Sequence, residues 1–321
     1  MLLNLREYHR PAVEAPQRAL AHAIELLARP DIRTVPLAGG DTLLAAAHSI
    51  CRTNFSSSSP ATDPTRRTNL SSSYTGVDPT IEAVVDLQGL GLDAIQADEA
   101  TGTLRIGAMV TRAALADHPA ARDFCSGILA EGARGGIGSV QRNRATVGGA
   151  VAVAAANDLL VATLLVCDAR VALFGRAGTS EVPLREFLPR RNALLSAPAL
   201  ITEVVVGRPA GPVGAALVRV ARTPADTAIV AAAALIERDG DRCRAARLSL
   251  AGVADLPLDL SDAAAVLVGR EPTAAAIAEA AGRAAANLRP PADFRGSSEY
   301  RRAMAEVLAG RALRLAWEQA A

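Results

Sequence analysis

The segment Gly138-Ser139-Val140-Gln141-Arg142-Asn143-Arg144-Ala145-Thr146-Val147-Gly148-Gly149-Ala150 decides how the rest of the chain reads. It ends on two adjacent glycines set among small and apolar residues. A second such pair stands far upstream, in Pro36-Leu37-Ala38-Gly39-Gly40-Asp41-Thr42. Glycine reaches positive φ freely and lets a ligand approach the backbone without meeting a Cβ. Successive amides around such a turn can face one concavity and hold an anion. A helix starting after the first turn, over Thr42 to Ser49, adds its free N–H groups and its dipole. A diphosphate held between the two turns is therefore a reasonable ligand. A lone diglycine is usually just a turn. Neither pair fits GxGxxG or a phosphate loop ending in GK[ST]. Taken alone, the glycines imply an anion-binding mixed α/β protein and no more.

The surroundings narrow the class. A chain of 321 residues, half of them apolar, builds two or three compact domains. Its formal charge of +1 offers no global field for nucleic acid or anionic lipid. All 34 basic residues other than histidine are arginine, so no lysine ammonium can serve a site. Aromatic residues make up 3%, which leaves alanine and the aliphatics to supply most of the burial. Cys51, Cys125, Cys167 and Cys243 stand far apart and form no CxxC pair, so neither an iron–sulfur cluster nor a structural zinc is expected. With a charged N-terminus and no secretion signal they read as free thiols in a reducing, cytoplasmic compartment. No apolar run reaches the length of a membrane span. His9, His22, His48 and His118 form no short-spaced set, and none is given a catalytic role.

Periodicity places a helix over Ala19 to Ala28, with Leu20, Ile24 and Leu27 on one face. Strands are expected at Arg33 to Leu37, Ala83 to Leu87, Leu104 to Ala108, Arg170 to Phe174 and Ile201 to Val206. Thr111 suits the cap of a helix beginning there. Further helices are expected at Gly127 to Arg134 and about Asp158 to Val166, with Gln141 to Gly149 as a loop. Thr53 to Pro79 is rich in serine and proline and reads as a surface insertion. Near Pro209 to Pro212 the chain pauses at a domain boundary. Beyond it, three strands fall at Ala215 to Val220, Ala228 to Glu237 and Arg244 to Gly252, the last two joined by an Asp239-Gly240 hairpin turn. Helices Asp262 to Leu267, Thr273 to Asn287 and Ser298 to Trp317 complete the chain.

In this order the segments resemble the FAD-binding medium subunit of molybdenum hydroxylases, the carbon monoxide dehydrogenase and xanthine dehydrogenase superfamily. The matching pieces are Tyr8-His9-Arg10-Pro11, LAGGD at Leu37–Asp41, VVDLQGLGLD at Val84–Asp93, LRIGAMVT at Leu104–Thr111, GSVQRNRATVGGA at Gly138–Ala150, ARTPADTAIV at Ala221–Val230, LSLAGVA at Leu248–Ala254 and DFRGSSEYRRAMAEVLAGRAL at Asp293–Leu313. RNxxTxGG and the FRxSxEYRR tail are the specific ones. The serine-rich insertion has no counterpart.

The resemblance implies an α+β fold: a two-subdomain FAD-binding domain of the vanillyl-alcohol-oxidase/PCMH type, then a C-terminal domain with a small antiparallel sheet and helices. The FAD-binding domain would take residues 1–208, in subdomains of about 1–87 and 88–208 with the insertion at about 53–79. The C-terminal domain would take 209–321. By position, Pro36, Leu37, Ala38, Gly39, Gly40, Asp41 and Thr42, with Thr146, Val147, Gly148, Gly149 and Ala150, would cradle the FAD diphosphate. Gly107 and Ala108 would lie beside the flavin with Thr111 near, and Ile201 to Val206, Val204 included, would add backbone contact. Asp158 matches an acid used near the cofactor, and equally suits a helix N-terminus. Arg142 and Arg144 could meet phosphate or pair with acids of another subunit. No catalytic acid, base or nucleophile and no metal is implied on this chain.

Departures from the family pattern are Ala150, where a polar residue is usual, and Ala154-Ala155-Ala156-Asn157-Asp158, which keeps only the final acid of the usual stretch. The partners implied are a small subunit with [2Fe-2S] clusters and a large subunit with molybdopterin, assembled as a dimer of heterotrimers, with no nucleic acid. Two other readings stay open: a flavin-free interaction subunit that keeps the fold, and a stand-alone flavoenzyme such as the reductase of cell-wall precursor synthesis.

Overall fold

The structure, a computed structural model, describes residues 5–11, 16–39, 81–196, 198–223 and 226–320. The expected helix at Thr42 to Ser49, the insertion at 53–79 and Gly40, Asp41 and Thr42 of the first turn lie outside them, as do Cys51 and His48.

Three sheets follow one another along the chain. The first is parallel, with β1 (Glu7–His9) and β2 (Thr34–Leu37) on either side of β3 (Ala83–Asp86). All four residues of β3 are buried, as a central strand of Ala-Val-Val-Asp should be. Helix α1 (Pro16–Leu27) covers this sheet with Ala19, Ala23 and Ile24, while Leu20 and Leu27 pack at its margin. The buried stripe is thus turned slightly from the one expected, because the small alanines sit deepest. The side chains of Glu7, His9 and Arg29 tie β1 to the end of α1, and the Tyr8 hydroxyl donates to Asp86.

The second sheet is antiparallel, in the order β4 (Ile95–Asp98), β5 (Thr103–Gly107), β8 (Ala199–Gly207), β6 (Arg170–Gly175), β7 (Gly178–Pro183). Between β5 and β6 the chain forms α2 (Arg112–Asp117), α3 (Pro119–Asp123), a 3₁₀ turn at Phe124–Gly127, α4 (Ile128–Arg134), α5 (Ser139–Arg142), α6 (Val147–Val153) and α7 (Leu159–Val166). Helix α8 (Leu184–Ser196) joins β7 to β8. Every residue of α7 is buried, which suits a helix apolar on all sides. Thr111 caps α2 by accepting from the Ala114 amide, as its sequence position predicts.

Of the loop expected at Gln141 to Gly149, only Asn143 to Thr146 lie outside helices. Gly138 to Arg142 close into a helical turn, and Thr146 caps α6 so that Gly148 and Gly149 fall inside its first turn.

The third sheet runs β12 (Leu258–Asp259), β11 (Arg242–Ala251), β10 (Val230–Asp239), β9 (Val213–Val220), with the turn between β10 and β11 at Asp239–Gly240. Helices α9 (Ser261–Ala264), α10 (Ala274–Ala285) and α11 (Ser298–Gln319) complete the chain, with a 3₁₀ turn after α9. β10 is apolar along nearly its whole length because both its faces are covered. Ala232, Ala234 and Ile236 face α11, Leu308 and Leu313 included, while Ala233 and Leu235 join the core of the second sheet. At Gly214 the end of α11 lies against β9 so closely that a Cβ would stand 2.1 Å from the Ala316 carbonyl oxygen. The C-terminal sheet is therefore a shared wall, packed on its own helices and on the preceding unit.

Candidate functional site

Gly39, the described glycine of the upstream pair, meets the segment that leads into the downstream pair. Gly39 follows β2, and its backbone rests on the segment before α6. A Cβ there would stand 1.6 Å from the Arg144 carbonyl oxygen, so no other residue fits without moving one strand of the junction. Gly148 presses on Ala108 in the same way, its missing Cβ 2.7 Å from the Ala108 Cβ. Gly107 does so against Leu92, at 2.2 Å from the carbonyl oxygen. Three pieces of chain distant in sequence thus converge through Gly39 and Gly148: the exit of β2, the exit of β5 and the start of α6 with the segment before it.

Hydrogen bonds fix this junction. Thr111 and Thr146 form an isolated antiparallel bridge. The Arg112 amide donates to the Ala145 carbonyl at 2.8 Å, the Val147 amide to Val110 at 2.9 Å and the Gly148 amide to Ala108 at 2.8 Å. The Gly149 amide donates to the Thr146 hydroxyl at 3.1 Å. The amides of residues 147–149 are therefore turned inward, and the turn offers no nest of free amides there. What it presents outward is the part-exposed backbone of Gly149 and Ala150, next to the exposed Arg144. Arg144 brings an exposed cation close to the turn, while the Arg142 guanidinium donates to the Arg134 carbonyl at 3.1 Å. Of the first turn, Pro36 is exposed while Leu37, Ala38 and Gly39 are half-buried.

The other expected positions sit deeper. Ala108 is buried and donates its amide to Thr202 at 2.8 Å. Val204 lies at the centre of β8, paired with Ile106 and Val171, its side chain in the core. Asp158 caps α7 through the Leu160 and Val161 amides and forms a two-pronged ion pair with Arg112, 3.1 Å on each arm. Both side chains are less than a tenth exposed. The bonds to the Leu160 and Val161 amides make this acid the N-cap of α7.

Sequence reasoning did not single out Arg112 or Arg301. Arg112 is buried, also donates to the Gly132 carbonyl, and keeps a buried Nε without an acceptor. Arg301 is buried against two carbonyls and Asp293. Their signal was available: each is a cation inside one of the segments, or directly next to it, that carry the family pattern. Among the described residues no group of three or more histidine, cysteine or acidic side chains is placed to hold a metal ion. No helix of the described residues is long and apolar enough to cross a membrane.

Residues 68–209 match the family described as the FAD binding domain in molybdopterin dehydrogenase, and residues 215–316 match the CO dehydrogenase flavoprotein C-terminal domain. The carbon monoxide dehydrogenase medium chain of Afipia carboxidovorans is 29% identical over 96% of this chain and 95% of its own length. Among solved structures, carbon monoxide dehydrogenase from Hydrogenophaga pseudoflava, in a form lacking the Mo-pyranopterin moiety, superposes with a TM-score of 0.80 at 27% identity over 99% of both chains. Quinoline 2-oxidoreductase from Pseudomonas putida 86 gives 0.78 at 26% identity over 98% of this chain and 97% of that one.

Proposed function

The chain belongs to the family of FAD-binding medium subunits of molybdenum hydroxylases, and from that membership we propose how its residues serve the cofactor. It is the flavoprotein subunit of a heteromeric oxidoreductase. FAD, when bound, would supply the redox chemistry, with electrons reaching it from iron–sulfur clusters on a partner subunit and leaving to an external acceptor. The chain's own work is to bind, orient and shield.

The observation that carries this reading is the flush contact of Gly39 with the Arg144 carbonyl. It brings Gly39 against the segment leading into the second glycine turn, which supports a ligand held by both. Pro36 to Thr42 would hold the diphosphate and Thr146 to Ala150 would line it, with close backbone approach at the part-exposed Gly149, positive charge from Arg144, and Gly39 fixing the junction between the two segments. The exit of β5, Gly107 and Ala108, and Thr111 would border the flavin. Val204 and Asp158, both committed to the interior, would act by fixing β8 and α7 behind the site. The FAD-binding part would comprise residues 1–208 and the C-terminal domain residues 209–321.

The partners would be a small iron–sulfur subunit and a large molybdopterin subunit, in a cytoplasmic dimer of heterotrimers. Exposed Val140, beside Arg142 and Arg144 at the edge of the site, suits a covered surface. Producing the chain together with its two partners tests this. A heteromeric complex carrying about one extractable FAD per copy of this chain is the expected result. A monomer that leaves both partners behind would contradict the assembly.

A further inference from the structure

We infer that Arg112 and Arg301 hold the loop Ala154–Asp158 from its two sides, and that through this loop the C-terminal sheet sets the position of the second glycine turn. Both are positioning residues, and the inference rests on the FAD site proposed above.

The loop begins where α6 ends. Since α6 spans only Val147–Val153, the loop is one short rigid helix away from Gly148 and Gly149. Its first residue, Ala154, is left-handed at φ 47° and ψ 54°, a conformation that a residue with a Cβ keeps only where its surroundings fix it. Its last residue, Asp158, is gripped by Arg112 on both carboxylate oxygens. The same arginine donates its backbone amide to Ala145, the residue before the cap of α6. Arg112 therefore ties the segment entering the glycine turn to the end of the loop leaving it.

The other side belongs to the C-terminal domain. The Gly252 amide donates to the Ala156 carbonyl at 2.7 Å, and the Asn157 amide group donates to Ala228 at 3.4 Å. Gly252, at φ +81°, is pressed on the start of β10, where a Cβ would stand 2.2 Å from the Ile229 carbonyl oxygen. Arg301 fastens that contact. Its Nη1 donates to Ile229 at 2.7 Å and to Gly252 at 2.8 Å, and its Nη2 donates to Asp293 at 2.7 Å. Asp293 and Arg301 are both in the tail motif, which has no direct contact with the glycine turns among the bonds described. A buried ion pair adds little net stability over apolar packing of the same volume. Its effect here is to fix where one backbone meets another.

The test uses the full chain and the variants Arg301→Gln, Arg301→Lys and Asp293→Asn. FAD binding is followed by titration and by the visible band shape. Hydrogen exchange of amides 147–158 is followed in the flavin-free chain. With far-UV dichroism unchanged, Arg301→Gln should bind FAD about two- to thirty-fold more weakly. Its bound flavin should show altered fine structure, and amides 147–158 should exchange faster. Arg301→Lys, which keeps the charge but not the fork, should recover part of each effect. If Arg301→Gln fails to fold, Asp293→Asn carries the test, because both carbonyl bonds survive in it; the same changes, smaller, are expected. Wild-type exchange and wild-type FAD binding in a folded variant would overturn the inference while leaving the FAD site intact. A wild-type chain that binds no FAD would overturn both.

Discussion

Gly39, Gly107 and Gly148 share one physical role, which is to let backbones touch where a Cβ would collide. Gly39→Ala should therefore act through the junction and not through lost chemistry. Overpacking of this kind costs about 1–3 kcal/mol when neighbours shift to accommodate it. The variant should melt earlier and bind FAD more weakly, read by thermal unfolding and by flavin titration. Arg112→Ala makes a different prediction. It strands the Asp158 carboxylate in the interior, and breaking a buried pair costs about 3–5 kcal/mol. A lower urea midpoint with an unchanged slope is the result to look for. Asp293 gives a pH test. Burial alone would raise its carboxyl, but the Arg301 hydrogen bond and the amides of Arg295 and Gly296 outweigh that and hold it below the ordinary value. A group so lowered in the folded state stabilises the fold above its unfolded value and loses that contribution as pH falls through the folded one. The acid limb of the stability curve below about pH 4 should flatten in Asp293→Asn relative to wild type.

At the scale of elements, the start of α6 depends on its cap. Thr146→Ala removes the acceptor of the Gly149 amide, which should cost about 1 kcal/mol and loosen the glycine turn. Chemical unfolding measures the first, and exchange of the Gly149 amide the second. The same cap explains why the sequence reading erred at Gln141 to Gly149. Two glycines and an Asn-Arg pair look like a loop, and Asn143 to Thr146 are one, whereas the hydroxyl of Thr146 and the carbonyls of Ala108 and Val110 draw Val147 to Gly149 into a helix. Elements with strong local signals were legible: Thr111 and Asp158 as caps, α7 as an apolar helix, the Asp239–Gly240 turn. Unpredicted were β4 and β7, short and largely polar strands whose existence depends on partners far away in sequence, and α8, whose Pro189 argues against a helix locally.

For the whole molecule, the family and the order of its domains were legible because motifs spread from Tyr8 to Leu313 carry them. What could not be read was which side chains the fold spends inside. Asp158 matched a cofactor-side acid by position, yet its burial opposite Arg112 follows only from the packing of α2, α4 and α7. The shared C-terminal sheet likewise emerges from alanines that look featureless in sequence. If the two units act together as that shared wall requires, FAD should stabilise the entire chain. A ligand at a hundred times its Kd adds about 2.7 kcal/mol. A single calorimetric transition moving upward with FAD is expected.

In this reading the chain holds FAD between its two glycine turns. The visible absorption spectrum of the purified chain, taken before and after adding FAD and again after denaturation, tests it most directly. Flavin bands should stay with the folded protein through gel filtration and be released when it unfolds. A colourless chain that remains colourless with excess FAD, with its partner subunits present, would contradict it and leave an interaction subunit that keeps the fold without the cofactor.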